Sequence, residues 1–229
     1  MVAGVDEYIV RLVPAHERDY RTVDAAIQRA QSQWAAFLTE AQAELEAAIT
    51  RSHFRLVTGG ERDEVLRGKR GLLRAEAVVA ARLKTAEAIV GKMRRFGEPL
   101  FNMLDIWGYR VIVSDVESLD KVLPVVAGMW SAPAPAELAL RGGTLQFDWL
   151  RDYRAKSHTG MSDATSPRYD EAVHVNRRAS FGVVEVQVVT VDLYRRAYVG
   201  TGEEAHANFV TRRRALEEAR QEKLRRGGR

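Results

Sequence analysis

The chain has 229 residues, 46% apolar and 29% charged, the composition of a globular protein long enough for one α/β domain with helical additions. It has no run of about eighteen uncharged apolar residues, so no membrane span is expected, and the absence of cysteine excludes disulfides and thiolate catalysis and fits a cytoplasmic location. A formal charge of +4 favours polyanionic ligands, and five scattered histidines with no pair at ligand spacing argue against a structural zinc site.

The opening "MVAGVDEYIV" lacks the basic-then-apolar pattern of a signal peptide. From Thr22 to about His53, Val23, Ile27, Ala30, Trp34, Leu38, Ala41, Leu45 and Ala48 recur every three or four residues and predict a long amphipathic helix. The Gly-Gly break in "VTGGERDE" predicts a short connector, and with it a boundary between an N-terminal helical arm (1–60) and a body (61–210). "LLRAEAVVAARLKT" predicts a strand, although its alanines leave a helix open, and "AEAIVGKMRR" predicts a helix. The β-branched run "YRVIVS" reads as a central strand, followed by an amphipathic helix in "VESLDKVLPVVAGMW" that Pro124 should interrupt.

"SAPAPAELALRGG" is a connection, and "DYRAKSHTGMSDATSPRYDE" is a polar stretch too long for a tight turn. "EAVHVNR" and "FGVVEVQVVT" then predict a hairpin with Gly182 near its turn, and the remainder reads as helical. The basic tail (211–229), with "TRRRALEEARQEKLRRGGR", admits two readings, a solvated helix with i,i+4 pairs or an electrostatic foot for RNA.

On these strands polar residues are fixed to apolar scaffolds. Glu185 and Gln187 share one face while Val184, Val186 and Val188 take the other; Arg82 and Lys84 also share a face, and Asp105 opens the strand that carries Arg110. Two carboxylates and two cations on adjacent strands are the ingredients of a magnesium–nucleotide site, acids for the hard cation and bases for phosphate. A solvated sheet face carries the same residue types, so spacing alone leaves both readings open.

In order along the chain, "ARLKTAEAIVGKMRR", "NMLDIWGYRVIV" and "VVEVQVVT" resemble the synthetase domain of the RelA/SpoT family, the pyrophosphokinases that make (p)ppGpp, over roughly residues 72 to 209. The resemblance implies an α/β (α+β) fold, a mixed β-sheet flanked by helices in a nucleotidyltransferase-like synthetase domain with N- and C-terminal helices. It implies Mg2+ as cofactor and ATP as donor of a β,γ-pyrophosphate to a ribose 3′-hydroxyl. Arg82 and Lys84 match the R-x-K strand, arginine against adenine and lysine at phosphate, and Lys92 matches the phosphate-binding lysine of the next helix. Asp105, Gly108 and Arg110 match D-I-x-G-x-R, with Asp105 a magnesium ligand and Arg110 on the ATP side. Glu185 matches the glutamate of E-I-Q-x-R-T, tied to magnesium and to activation of the attacking hydroxyl; Gln187 and Thr190 match as well.

On the acceptor side the match is looser. Asp152, Tyr153 and His174 are retained from D-Y-I-x-x-P-K-x-x-G-Y-x-S-x-H, but the loop is longer. With His174 in register, Asp170 stands where the guanine-stacking tyrosine belongs, and Tyr169 replaces it only by a one-residue shift. Ala88 replaces the serine of the lysine helix, Val189 replaces the arginine of E-I-Q-x-R-T, and no second arginine after Asp105 is matched to the other face of the adenine. The expected acceptor side is Tyr169, His174, Gln187 and Lys156. The expected activity is pyrophosphoryl transfer to GDP or GTP. The alternatives are transfer to the CCA end of tRNA, as in toxic small alarmone synthetases, which would bring an antitoxin partner, and an inactive nucleotide- or RNA-binding module. A homo-oligomer is left open, no membrane partner is expected, and the family's His-Asp hydrolase domain has no counterpart in the first 70 residues.

Overall fold

A computed structural model describes residues 20–85, 88–89, 106–132, 149–154, 171–179 and 182–199. Helix α1 (Tyr20–Arg51) is followed by strand β1 (Arg55–Leu56), helix α2 (Gly59–Leu66), strands β2 (Glu76–Leu83) and β3 (Trp107–Val113), and helix α3 (Val116–Gly128). Strands β4 (Leu150–Asp152), β5 (Ala172–Ala179) and β6 (Gly182–Thr190) come next, then helix α4 (Val191–Tyr194) and a π-helical turn, Arg195–Val199.

The six strands form one mixed sheet in the order β1-β2-β3-β6-β5-β4. Its centre is the parallel pair β3 and β6; β2 runs antiparallel to β3, β5 antiparallel to β6, and β1 parallel to β2. This is the mixed sheet with helices expected from the sequence. Among the described residues, no helix is long and apolar enough to cross a membrane.

Strand alternation sends Val184, Val186 and Val188 of β6, with Tyr109, Val111 and Val113 of β3, to one face. There they bury against Leu38, Ala41, Leu45 and Ile49 of α1 and Leu119, Val122 and Val126 of α3. The segment expected as an arm thus shares the sheet's core over its C-terminal half. Burial pushes the Tyr109 phenol above its usual range, and its hydroxyl donates to the Leu38 carbonyl at 2.5 Å, tying β3 to α1. On the opposite face a second, smaller core joins Val78, Ile112, Ala172 and Val189 to Val57, Val65, Val191 and Leu193.

Two expectations change, and one strand appears that the sequence did not announce. The Gly-Gly pair begins α2 instead of breaking the chain, because Gly59 takes φ +57°, a conformation that glycine adopts at little steric cost. Pro124 lies inside α3 without ending it; the helix is held at Asp115, whose carboxylate accepts from Ser118 N at 2.8 Å, and by the burial of Leu119, Val122 and Val126 around the proline. Strand β4 arises from "LRD", whose polar residues gave no strand pattern; it forms by antiparallel pairing with Val173–Val175 of β5.

Off the site, Glu76 is 3% exposed at the start of β2. Burial alone would push its carboxyl up, but Leu73 N and the guanidinium groups of Arg55 and Arg70 together outweigh burial and hold it at about 2.

Candidate functional site

The face of the sheet that carries the smaller core turns polar toward one end. Cross-strand register puts Arg82, Gly108, Glu185 and Asn176 in one row, from β2 through β3 and β6 to β5. A second row runs from Ala80 through Arg110 and Gln187 to His174. Residues directly opposite one another in register share a face. Period-two alternation in each strand therefore delivers Arg82, Glu185, Gln187, His174 and Arg110 to one surface.

Arg82 and Glu185 are two strands apart, a span of roughly 10 Å between backbones. They nevertheless meet, with Arg82 Nη1 donating to Glu185 Oε2 at 3.0 Å. The strand between them contributes Gly108 at that row, so no side chain stands in the way of the guanidinium. The glycine is needed for a second reason: a Cβ there would lie 2.0 Å from the carbonyl oxygen of Glu185.

Glu185 is the hub. Gln187 Nε2 donates to the same Oε2 at 2.8 Å, and His174 Nδ1 lies 3.3 Å from Oε1. Arg110 Nε donates to Gln187 Oε1 at 3.1 Å, and the Arg110 guanidinium lies 3.7 Å from the centre of the Tyr198 ring. Burial pushes the Arg110 pKa down from its ordinary value, though a guanidinium remains charged. Tyr153 meets His174 edge to face at 4.7 Å. The Tyr153 end of β4 is fixed by Arg154, which donates to Asp152 at 2.9 Å and reaches Asp120 of α3 at 2.5 Å.

Of the residues singled out from sequence, the structure brings together Arg82, Glu185, Gln187, His174 and Arg110. Lys84 stands just past the end of β2, half-buried, and its backbone N–H donates to the Ile106 carbonyl at 2.8 Å. Lys84 is thus joined to the residue that follows Asp105. Asp105, Lys92, Lys156 and Tyr169 lie outside the described residues.

Two departures acquire physical explanations. Val189 shares the face of Glu185 and Gln187 but is 3% exposed within the smaller core, where an arginine would be buried among Val78, Ile112 and Ala172. Ala88 offers its N–H to Thr85 Oγ1 at 3.2 Å, so a side-chain cap for this turn comes from Thr85. Thr190, retained from the motif, caps α4 by accepting from Leu193 N at 3.2 Å.

Sequence reasoning missed Tyr198, and gave Tyr153 no role. Tyr198 has no spacing relation to Arg110, so no periodicity points to it. Tyr153 sits at the head of a polar stretch, and its neighbour His174 becomes visible only through the β4–β5 pairing.

A carboxylate is the donor type that a hard divalent cation takes, and Glu185 fits it. One carboxylate is not a site: among the described residues no group of three His, Cys, Asp or Glu side chains could hold an ion. What the described arrangement offers is a carboxylate positioned by cationic and amide donors on a rigid sheet, suited to accepting a proton beside an anionic substrate.

Residues 81–213 match the model of a family described as a region found in RelA / SpoT proteins. No curated protein matches the chain. Among solved structures, the small alarmone synthetase 1 from Bacillus subtilis is 16% identical, over 90% of this chain and 97% of that one, with a TM-score of 0.42. The same enzyme bound to its product pppGpp is 17% identical, over 73% and 75%, with a TM-score of 0.41. A GTP pyrophosphokinase family protein from Streptococcus pneumoniae is 18% identical, over 83% and 93%, with a TM-score of 0.32. Likenesses of this size add nothing to the match of residues 81–213.

Proposed function

The chain belongs to the RelA/SpoT family of pyrophosphotransferases, and from that premise we propose that it transfers the β,γ-pyrophosphate of ATP to the ribose 3′-hydroxyl of GDP or GTP. The observation that carries this reading is Glu185, held at 3.0 Å by Arg82 and 2.8 Å by Gln187, and facing His174 at 3.3 Å, on one polar sheet surface.

In this reading Glu185 accepts the proton of the 3′-hydroxyl as its oxygen attacks the β-phosphorus. The bond from that phosphorus to the bridging oxygen of the α-phosphate breaks, and AMP leaves with the electron pair. Arg82 serves the adenine with its planar guanidinium, Lys84 and Lys92 meet the phosphates, and Arg110 completes the donor side. His174 and Gln187 orient the acceptor's side of the carboxylate, with Tyr169 and Lys156 as the loop contribution. Mg2+, held by Asp105 with Glu185, would neutralise charge on the triphosphate when bound.

Incubation with γ-labelled ATP and magnesium, in parallel reactions with GDP, GTP, ATP or bulk tRNA, tests this. Label on GDP or GTP is the expected result. Label on tRNA alone replaces the acceptor and keeps the chemistry, whereas absence of ATP turnover in every reaction leaves a nucleotide- or RNA-binding module.

A further inference from the structure

The π-helical turn Arg195–Val199 is a short, uncommon geometry of the kind that recurs at functional positions. It sets the Tyr198 ring 3.7 Å from the Arg110 guanidinium, with Tyr194 behind it at 5.3 Å between ring centres. We propose that Tyr198 is a positioning residue for the transfer reaction, one that fixes the direction of the Glu185 carboxylate by way of Arg110 and Gln187. The proposal rests on Glu185 as proton acceptor.

The chain of contacts has a forced direction. The Arg110 guanidinium is restrained by the Tyr198 ring and by a hydrogen bond with the Tyr198 hydroxyl. In that orientation Arg110 Nε donates to Gln187 Oε1, 3.1 Å away. An amide whose oxygen is so engaged has only its NH2 to offer on the other side, and that group donates to Glu185 Oε2 at 2.8 Å. Were the guanidinium free to turn, the amide could flip and set its oxygen against the carboxylate, an acceptor facing an acceptor. Gln187 is 5% exposed, so water has little room to repair the loss. Arg82 and Gln187 share one oxygen of Glu185 while His174 Nδ1 lies 3.3 Å from the other, and removing the amide takes away one of the contacts that aim the carboxylate.

Tyr198→Leu removes the ring and keeps an apolar side chain, with Tyr198→Met as the second variant should Leu lower the melting temperature. Tyr198→Phe keeps the face. With γ-labelled ATP and the acceptor that the wild type labels, Tyr198→Leu should lower kcat about tenfold, the order contributed by one hydrogen bond to a charged group. The KM for ATP should stay within about twofold, and Tyr198→Phe, which keeps the ring and loses only the hydroxyl's hydrogen bond with Arg110, should have a kcat between those of Tyr198→Leu and the wild type. Because Tyr198 acts through Gln187, adding Tyr198→Leu to Gln187→Leu should cost nothing further. Wild-type kcat in Tyr198→Leu, a Phe variant as slow as Leu, or multiplying losses in the double variant overturns the proposal.

Glu185→Gln is measured beside these: wild-type turnover in that variant overturns the proton-acceptor reading itself. The positioning claim has a readout of its own, hydrogen exchange of the Gln187 side-chain amide followed by NMR. Tyr198→Leu should accelerate it about tenfold and Tyr198→Phe by less; equal exchange in wild type and Tyr198→Leu overturns positioning whatever the turnover.

Discussion

Gly108→Ala adds one methyl group to the middle of the site row. The new Cβ would stand 2.0 Å from the Glu185 carbonyl oxygen, where Cβ contacts below 3.0 Å are essentially never found, so at least 1.0 Å of separation must come from moving β3 or β6. The obstacle is backbone, so no side-chain rotation relieves it. Displacing Glu185 by that distance stretches the 3.0 Å contact from Arg82 and, with Glu185 as the proposed proton acceptor, moves the carboxylate from the place that role requires. Misplacement by about 1 Å costs on the order of a hundredfold in rate, and overpacking of this kind costs about 1–3 kcal/mol of stability. The assay is kcat for label transfer from γ-labelled ATP, with the melting temperature beside it; a drop of roughly 2–4 °C per kcal/mol is expected for a chain of this size. Gly71→Ala is the control, because a Cβ there meets nothing within 4 Å. Wild-type turnover in Gly108→Ala, with an unchanged melt, would refute both the crowding and the role of the Arg82–Glu185 row.

Glu185→Gln should lower turnover by at least a hundredfold while ATP binding, followed by calorimetry, stays within a fewfold; equal loss of both would assign Glu185 to metal ligation alone. Asp105→Asn keeps size and removes charge, so magnesium affinity and turnover should fall together while the circular-dichroism melt is unchanged, and near-normal turnover removes Asp105 from the site. Reversing the charge of Arg212, Arg213 and Arg214 should leave labelling of GDP or GTP unaffected; a loss that flattens with salt, on tRNA labelling, supports the tRNA acceptor. Glu76 titrates from 4.5 in the unfolded chain to about 2 in the folded one. Its depressed pKa contributes stability above pH 4.5 that is lost as pH falls toward 2. At full strength the shift is worth roughly 3 kcal/mol, which the half-exposed Arg55 partner reduces to about 1–2 kcal/mol. Urea unfolding of Glu76→Gln against the wild type should show that gap at pH 7 and its closure toward pH 2; a gap independent of pH would exclude an ionised Glu76 as its source.

A continuous β-branched run made β3 legible and alternation made β6 legible, and the alternation announced that Glu185 and Gln187 share a face. Their company did not follow from it. That Arg82 reaches Glu185 across an intervening strand depends on register, and register is fixed by pairings such as Arg82 with Gly108 that no single strand encodes. Val189 read as a missing arginine because the sequence does not say how far the smaller core extends along that face. The pair β1 and β4, two and three residues long, is too short for any periodicity to register. Tyr198 lies beyond sequence reasoning for another reason: a stacked ring is selected by the turn that carries it, and π-helical geometry has no compositional signature.

The parallel pairing of β3 with β6 also has a meaning for the order in which the chain is made. Arg110 and Gln187 are 77 residues apart, and Arg82 and Glu185 are 103 apart. During synthesis β2 and β3 can zip together long before β6 exists, yet neither of these contacts has a partner until the second half has emerged. Closure of so long a loop is slow to find, though its entropic cost grows only with the logarithm of length, so insertions between β3 and β5 are tolerated better than any cut before Gly182. The hub residue therefore arrives on the strand that completes the sheet's centre: a chain interrupted before it lacks Glu185 and the central pairing together, so the polar row and the middle of the sheet form in one step.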